Sequence, residues 1–273
     1  MTLLVDDAPG RAAGGIVLVG HPMAGRRSSG VRASAWRALR TGRPGAPYPW
    51  PVTTPQADRW LLVMDVDSTF ITAEVIELLA ARAGALEEVA DVTGAAMRGE
   101  IDFGESLERR VALLAGLPTS VFDDVLAEVT VTPGALELVA EAQSRGWVVG
   151  LVSGGFEEVV VPLAARAGIT HVRANRLEVV DGVLTGRTTG PVIDREVKEE
   201  TLRAFAAAER IDMSRTIAIG DGANDLAMIG AAAIGIAFDA KPVVRAHAPF
   251  SVDGPRLDAA LEIIDREIAA LTS

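Results

Sequence analysis

The sequence contains no cysteine and only three histidines among its 273 residues. Without cysteine it can form neither a disulfide nor a thiolate metal site, and it has no cysteine nucleophile. The histidines (His21, His171 and His247) are far apart and lack the spacing of metal ligands. Neither a zinc site built from histidines nor a Ser-His-Asp triad is therefore expected.

Basic residues are outnumbered by acidic ones, 26 against 37, and long apolar runs are lacking. The formal net charge of −11 argues against nucleic acid as a partner, because such partners are bound through clustered Lys and Arg. No apolar run approaches the roughly 18 residues of a membrane-spanning helix, and the first residues lack the pattern of a secretory signal. We therefore expect a cytoplasmic protein that needs neither membrane nor nucleic acid. A homodimer is compatible with these features.

Residues 1–58 differ in composition from the rest of the chain. They are rich in Gly, Pro and Ser, and they carry seven Arg against three Asp. Only residues 16–19 have the pattern of a strand. We predict that residues 1–58 form an N-terminal extension that is largely extended or disordered. An Arg-rich targeting peptide is the alternative.

From residue 59 onward, strand patterns alternate with helix patterns. The predicted strands are apolar runs that end in polar clusters, and they span residues 60–64, 148–152, 216–219 and 234–238. A hairpin is predicted at residues 177–188, turning at Asp181-Gly182. This order predicts an α/β fold with a doubly wound parallel sheet, whose active site lies at the carboxyl ends of the strands.

A helical insert interrupts this alternation after the first strand. Four helical patterns lie between residues 73 and 128, and Pro133-Gly134 ends the insert. We predict that residues 73–132 form a helical cap over the active site. Residues 59–72 and 133–273 would then form the catalytic core.

Asp65 and Asp67 directly follow the first predicted strand. In nearly extended backbone, residues two apart point to the same side. Such a pair is weak evidence by itself, because aspartates at strand ends often cap helices. Further polar groups follow the later strands or begin the next helix, namely Ser153, Gly154, Lys198, Asp221, Asn224 and Asp225. Each has an ordinary explanation, but their coincidence at strand ends favours one shared site.

Lysine usage singles out one of these positions. The chain has 24 arginines and two lysines, Lys198 and Lys241. The rare lysines suggest places where a compact ammonium is required. Two exceptions are also compatible with chance.

Four segments resemble the motifs of the haloacid dehalogenase-like superfamily, in its phosphoserine phosphatase family. They are Asp-Val-Asp-Ser-Thr at 65–69, Ser-Gly-Gly-Phe at 153–156, Lys198, and Gly-Asp-Gly-Ala-Asn-Asp at 220–225. Residues 96–111 are similar to that family's cap signature. The likeness covers roughly residues 60–255. Its departures are small: Phe70 stands where Leu is usual, and Ala227 where Pro is common.

The resemblance implies Mg²⁺-dependent hydrolysis of O-phospho-L-serine to L-serine and phosphate, the last step of serine biosynthesis. Asp65 would be the nucleophile that forms an aspartyl-phosphate, and Asp67 the general acid and base. The implied Mg²⁺ ligands are Asp65, Asp221 and one further group. This third ligand is either the Val66 carbonyl or the Asp67 carboxylate, and the Val66 carbonyl is preferred.

The other implied roles concern the outer metal shell and the substrate. Asp225 would support the metal site from a second shell. The implied phosphate-binding groups are Ser153, the Gly154 amide, Lys198 and Asn224.

Glu74 and Arg110 are the implied specificity residues of the cap. Alone, Glu74 is explained as a partner of the helix dipole and Arg110 as part of an intrahelical ion pair. The resemblance implies instead that Glu74 binds the substrate ammonium and Arg110 its carboxylate. Met97, Gly99 and Phe103 would line the same pocket.

Two other functions stay open at this stage. The first is a phosphatase or phosphotransferase of the same superfamily that acts on another small phosphomonoester. The second is a non-catalytic phosphate-binding protein, although every chemical group needed for catalysis is present. A haloacid dehalogenase is disfavoured, because that chemistry needs neither Asp67 nor a metal.

Overall fold

The computed structural model of the protein describes residues 17–18, 59–97 and 100–272. Apart from Val17–Leu18, which form a short strand, the predicted N-terminal extension lies outside the described residues. Within the described ranges, every helix is too short or too polar to cross a membrane.

An eight-stranded sheet forms the centre of the fold, in the order β1-β4-β3-β2-β6-β7-β8, with β5 paired to β4. The strands are β1 Val17–Leu18, β2 Leu61–Met64, β3 Val148–Phe156, β4 His171–Val180, β5 Val183–Thr189, β6 Thr216–Gly220, β7 Ile234–Phe238 and β8 Phe250–Val252. Strands β4, β3, β2, β6, β7 and β8 are parallel, whereas β1 and β5 pair antiparallel with β4. The predicted α/β class with a doubly wound, mainly parallel sheet is confirmed.

One predicted boundary is wrong. The sequence suggests that a strand ends at residue 152 and that a helix follows directly after Ser153 and Gly154. In the structure β3 continues to Phe156, and the helix begins at Glu157. Ser153 and Gly154 therefore lie within an irregular part of β3 rather than at a helix N-terminus.

Ten helices occur in the described part of the chain. They are α1 Val75–Ala83, α2 Leu86–Met97, α3 Phe103–Ala112, α4 Val121–Glu128, α5 Ala135–Ser144, α6 Glu157–Arg166, α7 Arg195–Glu209, α8 Leu226–Ala231, α9 Pro242–Arg245 and α10 Ala260–Thr272. Helices α1–α4 occupy the stretch for which the sequence predicts four helices. Their role as a cap stays a prediction.

Strand β2 shows how the sequence builds the core. Its four apolar residues are fully buried, as expected for a central parallel strand covered on both faces. Alternate residues point to opposite faces. Leu61 and Val63 pack in one cluster with Phe205 of α7, and Leu62 and Met64 belong to the larger cluster on the other face.

The hairpin β4–β5 links the sheet to α3. It turns at Asp181-Gly182, both with positive φ, as the sequence predicts. Beyond α3 the chain pairs with β5: the Leu184 N–H donates to the Leu117 carbonyl at 2.8 Å. A Cβ at Gly186 would lie 2.9 Å from the Ala115 Cβ, so this close approach requires glycine. The hairpin thereby fixes the end of α3 against the sheet.

Candidate active site

A cavity of about 200 Å³ lies at the carboxyl ends of β2, β3 and β6, beside α1 and α3. Its lining residues are Asp65, Asp67, Glu74, Ile76, Phe103, Leu107, Arg110, Gly154, Gly155, Asp221, Gly222 and Asn224. Seven of the predicted site residues are among them. The other three (Ser153, Lys198 and Asp225) are completely buried next to this lining. The structure thus brings all ten together.

Asp65 is held in one orientation at the end of β2. Its N–H donates to the Ile219 carbonyl of β6 at 2.9 Å, which extends the sheet pairing to this residue. Its Oδ1 accepts a hydrogen bond from the Val66 N–H at 2.7 Å and lies 2.8 Å from Lys198 Nζ. Burial, reinforced by the charge of Asp225 and opposed by Lys198, raises the pKa of Asp65 well above its usual range.

Asp65 is one of three carboxylates that converge at this end of the sheet. Oxygen atoms of Asp65, Asp221 and Asp225 all lie within 4.8 Å of one another. Lys198 contributes one positive charge to the group, with Nζ 2.7 Å from Asp225 Oδ1. Burial raises the pKa of Asp221 to about 6, and the negative charge of Asp225 is the second-largest cause of this rise. Three acids around one ammonium leave an excess of negative charge, which a hard cation with oxygen ligands would balance.

Asp225 already uses both of its oxygens. Oδ1 accepts from Lys198 Nζ, and Oδ2 accepts from the Gly222 N–H at 2.9 Å. Burial lowers the pKa of Lys198, but the charges of Asp225 and Asp65 outweigh it and raise the pKa above its usual value. Lys198 is therefore a permanent cation, and an Asp225 bound in this way suits the predicted supporting role.

Asp67 is not part of the three-carboxylate cluster, and its carboxylate is hydrogen-bonded to other groups. Its Oδ1 accepts from the Val75 N–H at 2.8 Å, and its Oδ2 accepts from Ser153 Oγ at 3.0 Å. A Cβ at Gly155 would lie 2.6 Å from Asp67 Oδ2, so glycine makes room for the carboxylate. Burial, followed by the charge of Glu74, raises the pKa of Asp67 to about 7. Near neutral pH this group can both give and take a proton.

The hydrogen bonds of the Asp67 carboxylate help to decide which groups could bind a metal. The Asp67 carboxylate is committed to Val75 and Ser153, so it is poorly placed to join the cluster. The Val66 carbonyl accepts one hydrogen bond, from the Ile71 N–H at 2.9 Å. Since a carbonyl oxygen has two lone pairs, it keeps one for a metal.

Glu74 lies at the N-terminal end of α1 but makes no side-chain capping bond there. Its Oε1 instead accepts from Ser68 Oγ at 2.7 Å, and the side chain lines the cavity. Ser68 has φ = 55°, a left-handed conformation that is uncommon for a residue with a side chain. The strained turn thus places a hydroxyl against Glu74.

Arg110 enters the cavity from α3. Its Nε donates to the Ser106 carbonyl at 3.2 Å, whereas the intrahelical ion pair of this helix is made by the neighbouring Arg109 with Glu105. Burial lowers the pKa of Arg110, and the charge of Glu74 opposes this effect most strongly. The cavity is therefore lined by the acids of the core and also by one anion, Glu74, and one cation, Arg110.

Comparisons with known proteins decide the family. A model of the haloacid dehalogenase-like hydrolases matches residues 62–230. The phosphoserine phosphatase of Streptococcus thermophilus is 54% identical over 205 residues, which make up 75% of this chain and 95% of the relative. The chain belongs to the phosphoserine phosphatase family of these hydrolases.

Other members of the phosphoserine phosphatase family extend the comparison. The relative from Streptomyces coelicolor is 56% identical over 204 residues, which cover 75% of this chain and 50% of that protein. The chain thus spans about half the length of this relative. A solved structure described as a phospho-aspartyl intermediate analogue of phosphoserine phosphatase has a TM-score of 0.71 at 39% identity, covering 76% of this chain and 99% of the other. The resemblance inferred from the sequence motifs is confirmed.

Phosphatases of this family use a metal ion, and the carboxylates described above fit one. The oxygens of Asp65 and Asp221 lie close together in a cluster with excess negative charge. All-oxygen donors suit a hard divalent cation. The acidic cluster is therefore the candidate metal site of this family member.

Several residues of this candidate site were not predicted. Thr69 Oγ1 donates to Asp221 Oδ1 at 3.0 Å, and Ile76 and Leu107 line the cavity. Phe103 lines the cavity as expected, whereas the Met97 side chain and Gly99 lie outside the described part of the chain. The Thr69 hydroxyl, four residues after Asp65, was visible in the motif, but its partner lies 152 residues away.

Proposed function

We propose that this protein is a Mg²⁺-dependent phosphoserine phosphatase, which converts O-phospho-L-serine and water to L-serine and phosphate. The observation that carries the proposal is the presence of Asp65 and Asp67 together with Glu74 and Arg110 around one cavity. The substrate has a phosphate, an ammonium and a carboxylate, and the cavity offers a partner for each. The reaction supplies free serine, which places it at the last step of serine biosynthesis.

In the first step Asp65 attacks phosphorus and the bond from phosphorus to the serine oxygen breaks. The product is an aspartyl-phosphate, in agreement with the intermediate analogue of the structural relative. Asp67 gives its proton to the departing serine oxygen, which would otherwise leave as a strongly basic alkoxide. The Val66 N–H and Lys198 hold Asp65 Oδ1 during the attack.

In the second step Asp67 acts in the opposite direction. Its carboxylate takes a proton from a water molecule as that water attacks the phosphorus of the aspartyl-phosphate. Phosphate leaves, and Asp65 regains its carboxylate. A pKa of about 7 suits a group that must be an acid in one step and a base in the next.

Phosphate binding falls to groups around the cluster. We assign the equatorial phosphoryl oxygens to Ser153, the Gly154 amide, Lys198 and Asn224. Asp65, the Val66 carbonyl and Asp221 would hold Mg²⁺, which when bound supplies positive charge to the phosphoryl group. Ser153 Oγ accepts from the Gly155 N–H at 2.7 Å, so its position is fixed by the backbone.

We assign residues 73–132 to a cap that selects the substrate, and residues 59–72 with 133–273 to the catalytic core. Among the described residues of the helical segment, Glu74 and Arg110 are the charged ones that line the cavity. Arg110 suits a carboxylate because its planar guanidinium can donate two parallel hydrogen bonds. We assign residues 1–58 to an N-terminal extension, within which Val17–Leu18 pair with β4 of the core sheet.

Arg110→Ala and Glu74→Ala are each expected to lower kcat/KM for phosphoserine at least about thirtyfold, because truncating a desolvated charged contact costs about 2–5 kcal/mol. Hydrolysis of p-nitrophenyl phosphate, which has neither an ammonium nor a carboxylate, should change far less. Steady-state kinetics with both substrates gives the comparison.

Arg109→Ala is the matched control for this pair. Arg109 neighbours Arg110 on the same helix, but its side chain is 54% exposed and paired with Glu105. Removal of the Arg109 side chain should leave kcat/KM for both substrates unchanged. Equal losses on the two substrates in the Arg110 and Glu74 variants would show that these residues support the fold, and the substrate would then be another small phosphomonoester.

Removal of residues 1–55 is expected to leave the activity largely unchanged. The first site residue is Asp65, at the end of β2. Strand β1 pairs with β4, so both β4 and β3 lie between β1 and β2. Specific activity of the purified truncated protein checks this. A truncated protein that folds but no longer turns over would show that the extension contributes to the site.

A further inference from the structure

The side-chain amide of Asn175 joins two separate segments of the chain. Asn175 is a residue of β4 with only 2% of its surface exposed. Its Nδ2 donates to the Gly154 carbonyl at 2.8 Å, and its Oδ1 accepts from the Ile193 N–H at 2.9 Å. Both ends of the amide are therefore bonded to backbone groups.

The first segment is the irregular part of β3. In the pairing of β3 with β4, Val152 lies opposite Arg173, and Phe156 lies opposite Asn175. Residues 153–155 of β3 thus face a single residue of β4 and bulge out of the regular ladder. The bulge carries Ser153 and Gly154, two of the assigned phosphate-binding residues. Asn175 provides a side-chain hydrogen bond to the Gly154 carbonyl within this irregular stretch.

The second segment leads into α7. Ile193 precedes Asp194, whose side chain caps α7 by accepting from the Val197 N–H at 2.9 Å. Asp194 also accepts from the Lys198 N–H through its carbonyl, at 3.0 Å. The place of Ile193 therefore determines where α7 starts, and with it the position of Lys198.

We propose that Asn175 is a positioning residue for phosphate binding. It holds the β3 bulge and the start of α7 at the spacing at which Gly154, Ser153 and Lys198 converge on one phosphoryl group. The inference rests on the proposed function, because it takes these three residues as the phosphate ligands. Asn175 itself does not line the cavity.

This role predicts a kinetic pattern different from that of the cap residues. Every phosphomonoester shares the phosphoryl group, so loss of Asn175 should lower kcat/KM for all substrates alike. Asn175→Ala is expected to lower kcat/KM for phosphoserine and for p-nitrophenyl phosphate by the same factor, at least about tenfold. The affinity for inorganic phosphate, measured by calorimetry with Mg²⁺ present, should fall by a similar factor.

A second variant isolates one of the two bonds. Asn175→Asp keeps an oxygen that can accept from the Ile193 N–H but removes the donor to the Gly154 carbonyl. It should show the same uniform loss, and it tests the inference if Asn175→Ala does not fold. Gln143→Ala is the control, since the Gln143 amide also binds backbone groups, the carbonyls of Ala167 and Gly168, but these lie before the start of β4 and do not line the cavity.

The experiment compares these three variants with the unmodified protein at a temperature well below their unfolding transitions. Uniform kinetic losses and weaker phosphate binding in the Asn175 variants, but not in Gln143→Ala, support the inference. A lowered unfolding temperature with unchanged kcat/KM and phosphate affinity would overturn it. If the unmodified protein hydrolyses neither substrate, the proposed function fails, while the ratio of phosphate affinities still decides the role of Asn175.

Discussion

Asp65→Asn is expected to lower kcat at least about 10⁴-fold, because an amide oxygen is a very poor nucleophile toward phosphorus. The fold should persist. Burial raises the pKa of Asp65, which means that its ionised form opposes folding at neutral pH. The neutral amide removes this penalty, so without metal the variant should unfold at a temperature no lower than that of the unmodified protein.

The measurement is phosphate release by the purified variant, together with its thermal unfolding curve in a chelator. Asp212→Asn is the control, since Asp212 is an exposed helix cap before β6, at the edge of the sheet away from the cavity. It should keep full activity. More than a trace of turnover in Asp65→Asn, beyond what deamidation back to aspartate explains, would exclude Asp65 as the nucleophile.

Lys198→Met is expected to abolish detectable turnover and to destabilise the fold. The Lys198 side chain is completely buried, with Nζ 2.8 Å from Asp65 and 2.7 Å from Asp225. Methionine has a similar length but no charge, so two buried carboxylates lose their cation. Breaking a buried ion pair typically costs about 3–5 kcal/mol, which for a chain of this size corresponds to a fall of roughly 10 °C in the unfolding temperature.

Arg203→Met is the control for Lys198→Met on the same helix. Arg203 pairs with Glu199 at the surface, where such a pair contributes about 0.3–0.5 kcal/mol. Denaturant unfolding and phosphate release are measured on both variants. If the two proteins are equally stable and equally active, the buried cation has no role in either the fold or the chemistry.

The elements that the sequence predicts best are those whose pattern is local. Strand β2 is a continuous apolar run, so its position follows from composition alone. Strand β8 was missed because it has only three residues and one of them is exposed. The first half of β4 was also missed: its polar residues interrupt the strand pattern, and their partners lie elsewhere in the chain. Among these, His171 lies 3.0 Å from Glu209, and Asn175 bonds to Gly154 and Ile193.

The same reasoning applies to the site. Asp65 and Asp221 could be predicted because the carboxyl ends of parallel strands meet at one edge of the sheet. The bulge at residues 153–155 of β3 could not be predicted, since the register between two strands is not visible in either segment alone. The contact of Thr69 with Asp221 and the hydroxyl that Ser68 offers to Glu74 also depend on the folded turn after β2.

The most direct test is phosphate release from O-phospho-L-serine by the full chain, with Mg²⁺ and with excess chelator. The account predicts hydrolysis that requires Mg²⁺, that falls when Ca²⁺ replaces it because calcium takes more ligands at longer distances, and that proceeds with a higher kcat/KM than hydrolysis of p-nitrophenyl phosphate. Full activity in the chelator, or no preference for phosphoserine over p-nitrophenyl phosphate, would contradict it.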